Sequence, residues 1–295
     1  MKILQFTLLC TSIILSNSTL AQGSFSRPYQ PYLGYNITLA SSHFLSDLGG
    51  KNADGSHGPE DLDIASTRYA LGTRIFFHTR SGFSIITDVN FARLYGDDKE
   101  AKSSRTKRNL HVRTDIFETI VKVEYTFNRS GIYLNLGGGL CFFKPKAQLD
   151  GTWYDLRPLG TEGQNIDPEK SVYKKYTPII PFGVGKKFEL NNNMSIAIDC
   201  SLRKSFSDYL DDVSTKYYDR EAIGDYSGDV AKQLSSRAGA YAPTHAEPGS
   251  IRGNPNFNDN YFFIGFKLSS RLQNPTGHTQ SKNLRIISVP AGNIK

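Results

Sequence analysis

The sequence has no long hydrophobic run beyond its first residues, and it contains little tryptophan or methionine. No stretch of 18 consecutive apolar residues follows the N-terminal segment, which excludes a protein that crosses a membrane with helices. Charged residues make up 21% of the chain, too few for a disordered polyelectrolyte. Phenylalanine and tyrosine, in contrast, number 18 and 16. Because these rings suit the half-buried surface of a sheet, the composition favours strands.

The formal net charge of +7 is not gathered in one part of the sequence. Only residues 99–108 form a basic cluster, and it is short. A nucleic-acid partner would require a basic face, so none is expected. The six histidines lack the spacing of metal ligands. His111, Ser207 and Asp208 could meet near a loop rim, but no spacing distinguishes them as a catalytic set. We therefore expect neither a cofactor nor an enzyme.

The first 21 residues have the pattern of a secretory signal peptide. Lys2 supplies a positive charge, an apolar stretch runs over residues 3–15, and the small residues Thr19 and Ala21 precede Gln22. Cleavage after Ala21 is expected. The exported chain would keep Cys141 and Cys200, which the strand pattern below places on opposite faces of strands that are not neighbours. No disulfide between them is expected.

Eight segments of roughly ten residues alternate between apolar and polar positions, the period of a strand with two different faces. In the clearest of them, Val121, Val123 and Tyr125 alternate with Lys122 and Glu124. The segments are 32–39, 68–78, 83–93, 117–127, 132–142, 180–188, 194–206 and 262–268.

The connections between these segments are alternately short and long. Residues 79–82, 128–131 and 191–193 form tight turns, whereas four connections are long, the last of them spanning 207–260. Short turns on one side and long loops on the other are typical of outer-membrane barrels. We predict an all-β fold, an eight-stranded antiparallel up-and-down transmembrane β-barrel with four long extracellular loops. The barrel is expected over residues 22–272 and a periplasmic tail over 273–295, in a protein of the outer membrane.

A soluble barrel of the lipocalin kind, with its apolar face inward, is the competing interpretation. Charges of both signs on the polar face argue against it, because buried charges must pair with one another. An eight-stranded barrel is just wide enough for side chains to fill, so these charges predict a plugged lumen and no aqueous pore. The charges on this face are Arg74, Asp88, Glu118, Lys122, Glu124, Lys187, Glu189, Asp199, Arg203, Lys267 and Arg271.

The loops combine proline and glycine with aromatic and charged residues, which predicts ordered loops. Exposed aromatic and arginine side chains are typical anchors of docking surfaces. The alternative is that the loops only cover the barrel. The docking candidates are Trp153, Tyr154, Asp155, Arg157, Tyr209, Asp211, Asp212 and Arg252.

Three loop blocks carry a resemblance to a known family: residues 153–164, residues 204–219 and residues 252–263. With the strand spacing around them, over residues 30–272, the chain resembles the PorG-like outer-membrane β-barrel family of Bacteroidota, which is associated with the type IX secretion system. The resemblance implies periplasmic ring proteins of the PorK and PorN type as partners, and an anchoring or organising role in protein secretion. A structural or adhesion barrel and a lipid-modifying enzyme remain as alternatives.

Overall fold

A computed structural model describes residues 31–48, 65–100, 104–127, 130–238 and 246–272. The predicted signal peptide and the predicted tail lie outside these residues. These residues form nine strands, eight of them long. They are β1 (Tyr32–Leu45), β2 (Arg68–His78), β3 (Phe83–Asp97), β4 (His111–Thr126), β5 (Ile132–Leu149), β6 (Thr152–Asp155), β7 (Tyr176–Glu189), β8 (Met194–Ser205) and β9 (Asn260–Arg271).

Each long strand pairs antiparallel with the next long strand, and the first pairs with the last. The closing ladder places Gly34 opposite Arg271 and Leu45 opposite Asn260. The short strand β6 folds back on β5 outside this ring. Closure leaves no free sheet edge within the barrel wall. The predicted eight-stranded antiparallel up-and-down barrel is therefore confirmed.

In the middle of the barrel wall the outward-facing side chains are mostly apolar, and the charged side chains point inward. Ile37, Leu39, Val121 and Phe266 expose 56–60% of their surface, whereas Lys122 exposes 2%. A wide apolar band would be unfavourable in water but matches the hydrocarbon layer of a bilayer. The interpretation as a soluble, lipocalin-like barrel is therefore wrong. The chain is an integral β-barrel of the outer-membrane type.

One aromatic residue of the outward-facing parity is not exposed. Only 5% of the surface of Phe262 is exposed, because the ring of His43 stacks on it at 4.6 Å between ring centroids. Cys141 is buried and Cys200 is half-buried, and no disulfide joins the two, as the strand pattern predicted.

The strands run further on the long-loop side than the hydrophobic pattern indicates. The pattern ends β3 at residue 93 and begins β4 at residue 117, but the paired ladder continues from Arg93 to Asp97 and starts at His111. Beyond the bilayer the outer face need not be apolar, so alternation disappears while backbone pairing continues. Arg93, for example, forms an outward ion pair with Asp115 at 2.7 Å.

The last long loop contains two short helices that the sequence pattern did not predict: α1 (Arg220–Ser227) and α2 (Asp229–Ser235). Asp219 caps α1, its Oδ1 accepting from the backbone N–H of Glu221 at 2.9 Å. No helix in the described ranges is long and apolar enough to cross a membrane.

Candidate functional site

The middle of the lumen is filled by a salt-bridge network anchored on β2, β3 and β4. Arg74 Nε donates to Asp88 Oδ1 at 2.6 Å, and its Nη1 lies 3.3 Å from Glu124 Oε2. Lys122 Nζ lies 2.5 Å from Asp88 Oδ2. These four side chains are buried. Each charge therefore depends on its neighbours, because water does not solvate it.

The network continues on the opposite wall of the barrel. Arg203 Nε lies 3.3 Å from Glu118 Oε1, and Lys267 Nζ lies 2.5 Å from Asp199 Oδ2. The remaining pairs, nearer the short turns, are Lys187–Glu124 at 3.7 Å and Arg271–Glu189 at 3.6 Å. The structure thus brings all eleven predicted lumenal charges into ion pairs.

Two tyrosines complete this network and were not assigned to it from the sequence. The Tyr133 hydroxyl donates to Asp199 at 2.8 Å, and the Tyr261 hydroxyl donates to Glu118 at 2.6 Å. Both residues lie at the strand positions that face the lumen, as the charged residues do, and this alternation is the sequence signal that could have identified them. Two gaps between the lumenal side chains measure about 10 Å³ each, room for about one water.

Above the network, the long-loop mouth of the barrel is closed by an apolar cluster. Leu210, from the last long loop, is fully buried against Ile116, Ile120 and Ile179 of the barrel wall. Its carbonyl accepts from Thr114 Oγ1 at 2.5 Å. The loop therefore enters the barrel mouth and seals it.

The long loops together form a compact structure that we call the loop cap: the described parts of residues 46–67, 98–110, 150–175 and 206–259. It has its own apolar cluster, to which all four loops contribute. The loop residues in this cluster are Leu48, Leu110, Leu156, Val213 and Leu234. A shared core makes the cap one packed unit rather than four separate loops.

A buried carboxylate, Glu162, organises the polar part of the cap. Arg252 Nη1 donates to it at 2.9 Å, the Ser214 backbone N–H at 2.9 Å and Thr215 Oγ1 at 2.7 Å. The Tyr209 hydroxyl completes the set at 3.3 Å. Glu162 and Arg252 are both buried, so this pair joins the third and fourth long loops beneath the surface.

A second buried arginine, Arg108, joins the first and second long loops to the fourth. It donates to Asp98 at 2.7 Å, to the Asp47 carbonyl at 2.6 Å and to the Arg252 carbonyl at 2.5 Å. These bonds span separations of up to 144 residues. The cap is therefore held by tertiary contacts between loops.

Three of the predicted docking residues, Asp211, Asp212 and Arg252, are buried, so the expectation that they are exposed is wrong. Asp212 accepts from the Tyr173 hydroxyl at 2.6 Å and from Thr161 Oγ1 at 2.5 Å, and Arg252 pairs with Glu162. These side chains are buried because charged and polar groups from different loops pair with one another inside the cap. Asp211, Asp212 and Arg252 therefore lie beneath the surface of the cap and are not part of it.

The other five docking candidates are half-buried and lie at the cap surface. Trp153 lies under the Arg113 guanidinium at 4.1 Å, and Asp155 pairs with Lys144 at 2.8 Å. Tyr154 packs on the cap core, Arg157 donates to the Tyr173 carbonyl at 2.8 Å, and Tyr209 stacks on Tyr173 at 4.6 Å. Their role in docking remains a prediction.

Four aspartates, Asp47, Asp208, Asp211 and Asp259, are buried together where the last long loop enters the barrel mouth. Burial raises the pKa of Asp208 to about 9, and the neighbouring Asp211 adds to the effect. Burial also raises the pKa of Asp211 and of Asp259, each of which faces other carboxylates of the group. The carboxyl groups of Asp208, Asp211 and Asp259 therefore retain protons near neutral pH.

We expect the cap to loosen reversibly as pH rises from about 4 towards 9. A carboxyl whose pKa is higher in the folded state than its unfolded value of about 3.9 stabilises the fold at low pH, and that contribution is lost as the pH rises through the folded value. Near-ultraviolet circular dichroism of the stacked Tyr173 and Tyr209 reports the change. Burial raises the pKa of Tyr209 to about 12, so its own ionisation does not interfere. Asp208→Asn should shift the loss to higher pH; a spectrum that does not change between pH 6 and 9.5 contradicts the expectation.

The residues considered for catalysis have separate partners. His111 contacts Arg237 Nη1 at 2.9 Å and the Trp153 ring, whereas Ser207 Oγ accepts from the Tyr209 backbone N–H at 3.2 Å. Asp208 belongs to the buried aspartate group. Within the described part of the chain, no group of three or more His, Cys, Asp or Glu side chains could hold a metal ion.

Comparison with known proteins gives similarity to solved structures only. No protein-family model matches the sequence, and no curated protein matches it. The attachment invasion locus protein Ail of Yersinia pestis aligns over 83% of this chain and 100% of its own, with 9% identity and a TM-score of 0.41. Neisserial surface protein A aligns over 82% and 97%, with 7% identity and a TM-score of 0.37. The outer membrane protein AlkL aligns over 88% and 99%, with 13% identity and a TM-score of 0.38.

Proposed function

We propose that this barrel is a non-enzymatic integral component of a protein-secretion machine of the type IX kind, which anchors or organises periplasmic ring proteins at the outer membrane. The observation that carries the proposal is the plugged lumen. The paired charges fill the lumen, and the two gaps between them measure only about 10 Å³ each, too little for a solute larger than water. Its function then lies in what its wall and its two ends contact.

The wall and the two ends differ in the partner that they suit. The apolar band faces the lipid of the outer membrane, which fixes the protein in that layer. The loop cap lies on the outer side, and the short turns, such as the one around Gly82, lie on the periplasmic side. The resemblance to the PorG-like family supports ring proteins of the PorK and PorN type as the periplasmic partners.

Affinity purification tests the proposal. The chain carries an affinity tag inserted after Ala21, and the intact outer membrane is solubilised in a mild detergent before capture and mass spectrometry. We expect the periplasmic ring proteins to be enriched over a control capture of another tagged eight-stranded barrel from the same membrane. A second bait that lacks residues 273–295 shows whether the predicted periplasmic tail contributes to the contact.

One result would reject the secretion role. If the full-length bait is recovered folded from membranes that contain the ring proteins, and no ring protein is enriched, the chain does not anchor them. The structural or adhesion interpretation would then stand in its place.

A further inference from the structure

The loop cap contains a cavity far larger than the gaps in the lumen. It measures about 300 Å³ and opens between the third and fourth long loops. This volume lies at the lower end of the range for small-molecule sites. The lining residues are Lys170, Ser171, Tyr173, Tyr209, Thr215 and Lys216.

An aromatic stack forms one wall of this cavity. The ring of Tyr209 lies 4.6 Å from that of Tyr173, and Tyr173 lies 6.1 Å from Phe143, with 11° between the planes in both pairs. Phe143 and Tyr173 are buried, while Tyr209 is half-buried and reaches the cavity. Because the stack rests on β5 of the barrel, it offers a flat apolar surface that is fixed in place.

The hydroxyl groups of the cavity are oriented by the buried acids behind them. Tyr209 and Thr215 donate to Glu162, and Tyr173 donates to Asp212 at 2.6 Å. Their oxygen lone pairs remain available to accept hydrogen bonds from a bound molecule. Arg252 lies within 4 Å of both acids, so the wall behind the hydroxyls is not strongly negative.

Two lysines give the cavity a positive charge. Lys170 Nζ donates to the Glu162 carbonyl at 2.6 Å, which fixes its position and leaves further N–H donors. Lys216 is exposed. Lys174 and Lys175 are also exposed on the segment that carries Lys170. A negatively charged ligand is therefore favoured over a neutral one.

We propose that this cavity binds an acidic saccharide presented outside the cell. A sugar ring would lie against Tyr209, its carboxylate or sulfate would pair with Lys170 and Lys216, and its hydroxyls would meet those of Ser171 and Thr215. An acidic peptide fits less well, because extended peptides are usually held by main-chain bonds to a sheet edge, and the cavity is lined by side chains. This binding does not depend on the proposed secretion role.

Calorimetric titration of the full-length protein in lipid nanodiscs tests the site. The probes are a disaccharide that contains one uronic acid and the matching disaccharide whose carboxylate is replaced by a hydroxymethyl group. We expect saturable binding of the acidic probe, at least about tenfold weaker binding of the neutral probe, and weakening with added salt. Lys216→Gln should weaken the acidic probe about tenfold, and Lys216→Arg should retain most of the affinity.

The control variant is Lys232→Gln, which removes a half-exposed lysine of α2 in the same cap that pairs with Glu221 outside the cavity. It should leave the affinity unchanged. Near-ultraviolet circular dichroism of each variant shows that the cap is intact. The proposal is overturned if neither disaccharide binds, if both bind equally, if Lys216→Gln and Lys232→Gln act alike, or if an acidic hexapeptide binds more tightly than the acidic disaccharide.

Discussion

Replacing Arg74 with alanine should lower the free energy of unfolding of the barrel by about 3–5 kcal/mol, the usual cost of breaking a buried ion pair. Arg74 lies between Asp88 at 2.6 Å and Glu124 at 3.3 Å, and all three side chains are buried. Without the guanidinium, the two carboxylates keep Lys122 and Lys187 as their ion-pair partners among the described residues. The measurement is urea unfolding of the barrel in lipid vesicles, followed by the loss of the compact band on unheated electrophoresis.

Arg93→Ala provides the matched control, because Arg93 also forms a cross-strand pair with an aspartate. The Arg93–Asp115 distance is 2.7 Å, but the two side chains expose 27% and 20% of their surface outside the barrel. Pairs near the surface contribute about 0–1 kcal/mol, so this substitution should have little effect. Equal losses in the two variants would mean that burial of the lumenal network does not determine its contribution to stability.

The same distinction between inside and outside explains why the barrel was predictable from the sequence. Lipid contacts one side of every long strand. Apolar residues therefore recur at every second position within each strand segment, from the first, which contains Leu33, to the last, which contains Leu268. The inward position of Arg74 and Asp88 was predictable from the same parity, and the register of the two adjacent strands then places them opposite each other. The barrel fold and its charged lumen can therefore be predicted from the alternation of apolar and polar residues within each strand.

The sequence of the loop cap has no such regular alternation of apolar and polar residues. Asp47 Oδ2 accepts from the backbone N–H of Asn254 at 2.5 Å, across 207 residues, and no local pattern links these positions. The burial of Arg252 and Asp212 depends likewise on Glu162 and Tyr173 from another loop. Composition indicated that the loops are ordered, but it could not show which charges point inward, because that depends on which loops meet.

The second large effect is expected at Glu162, where the third and fourth long loops meet. Glu162→Ala should release the loop cap while the barrel stays folded, because it leaves the Arg252 guanidinium buried with only Asp212, at 3.7 Å, as its remaining carboxylate. The Ser214 backbone N–H and the Thr215 hydroxyl lose their acceptor as well. The local cost should again be about 3–5 kcal/mol. Protease added outside intact cells should cut within residues 150–175 or 206–259 much faster than in the parent protein.

Glu221→Ala separates this effect from the mere loss of a charge in the cap. Glu221 pairs with Lys232, but 71% of its side chain is exposed, so water replaces the lost partner and cleavage should stay at the parent rate. The barrel strands act as an internal reference, since lipid and their closed ladders should protect them in every variant. If Glu162→Ala resists protease as the parent does, the third and fourth loops are held by their apolar contacts alone. If its barrel strands are cut as well, cap and barrel unfold as one unit.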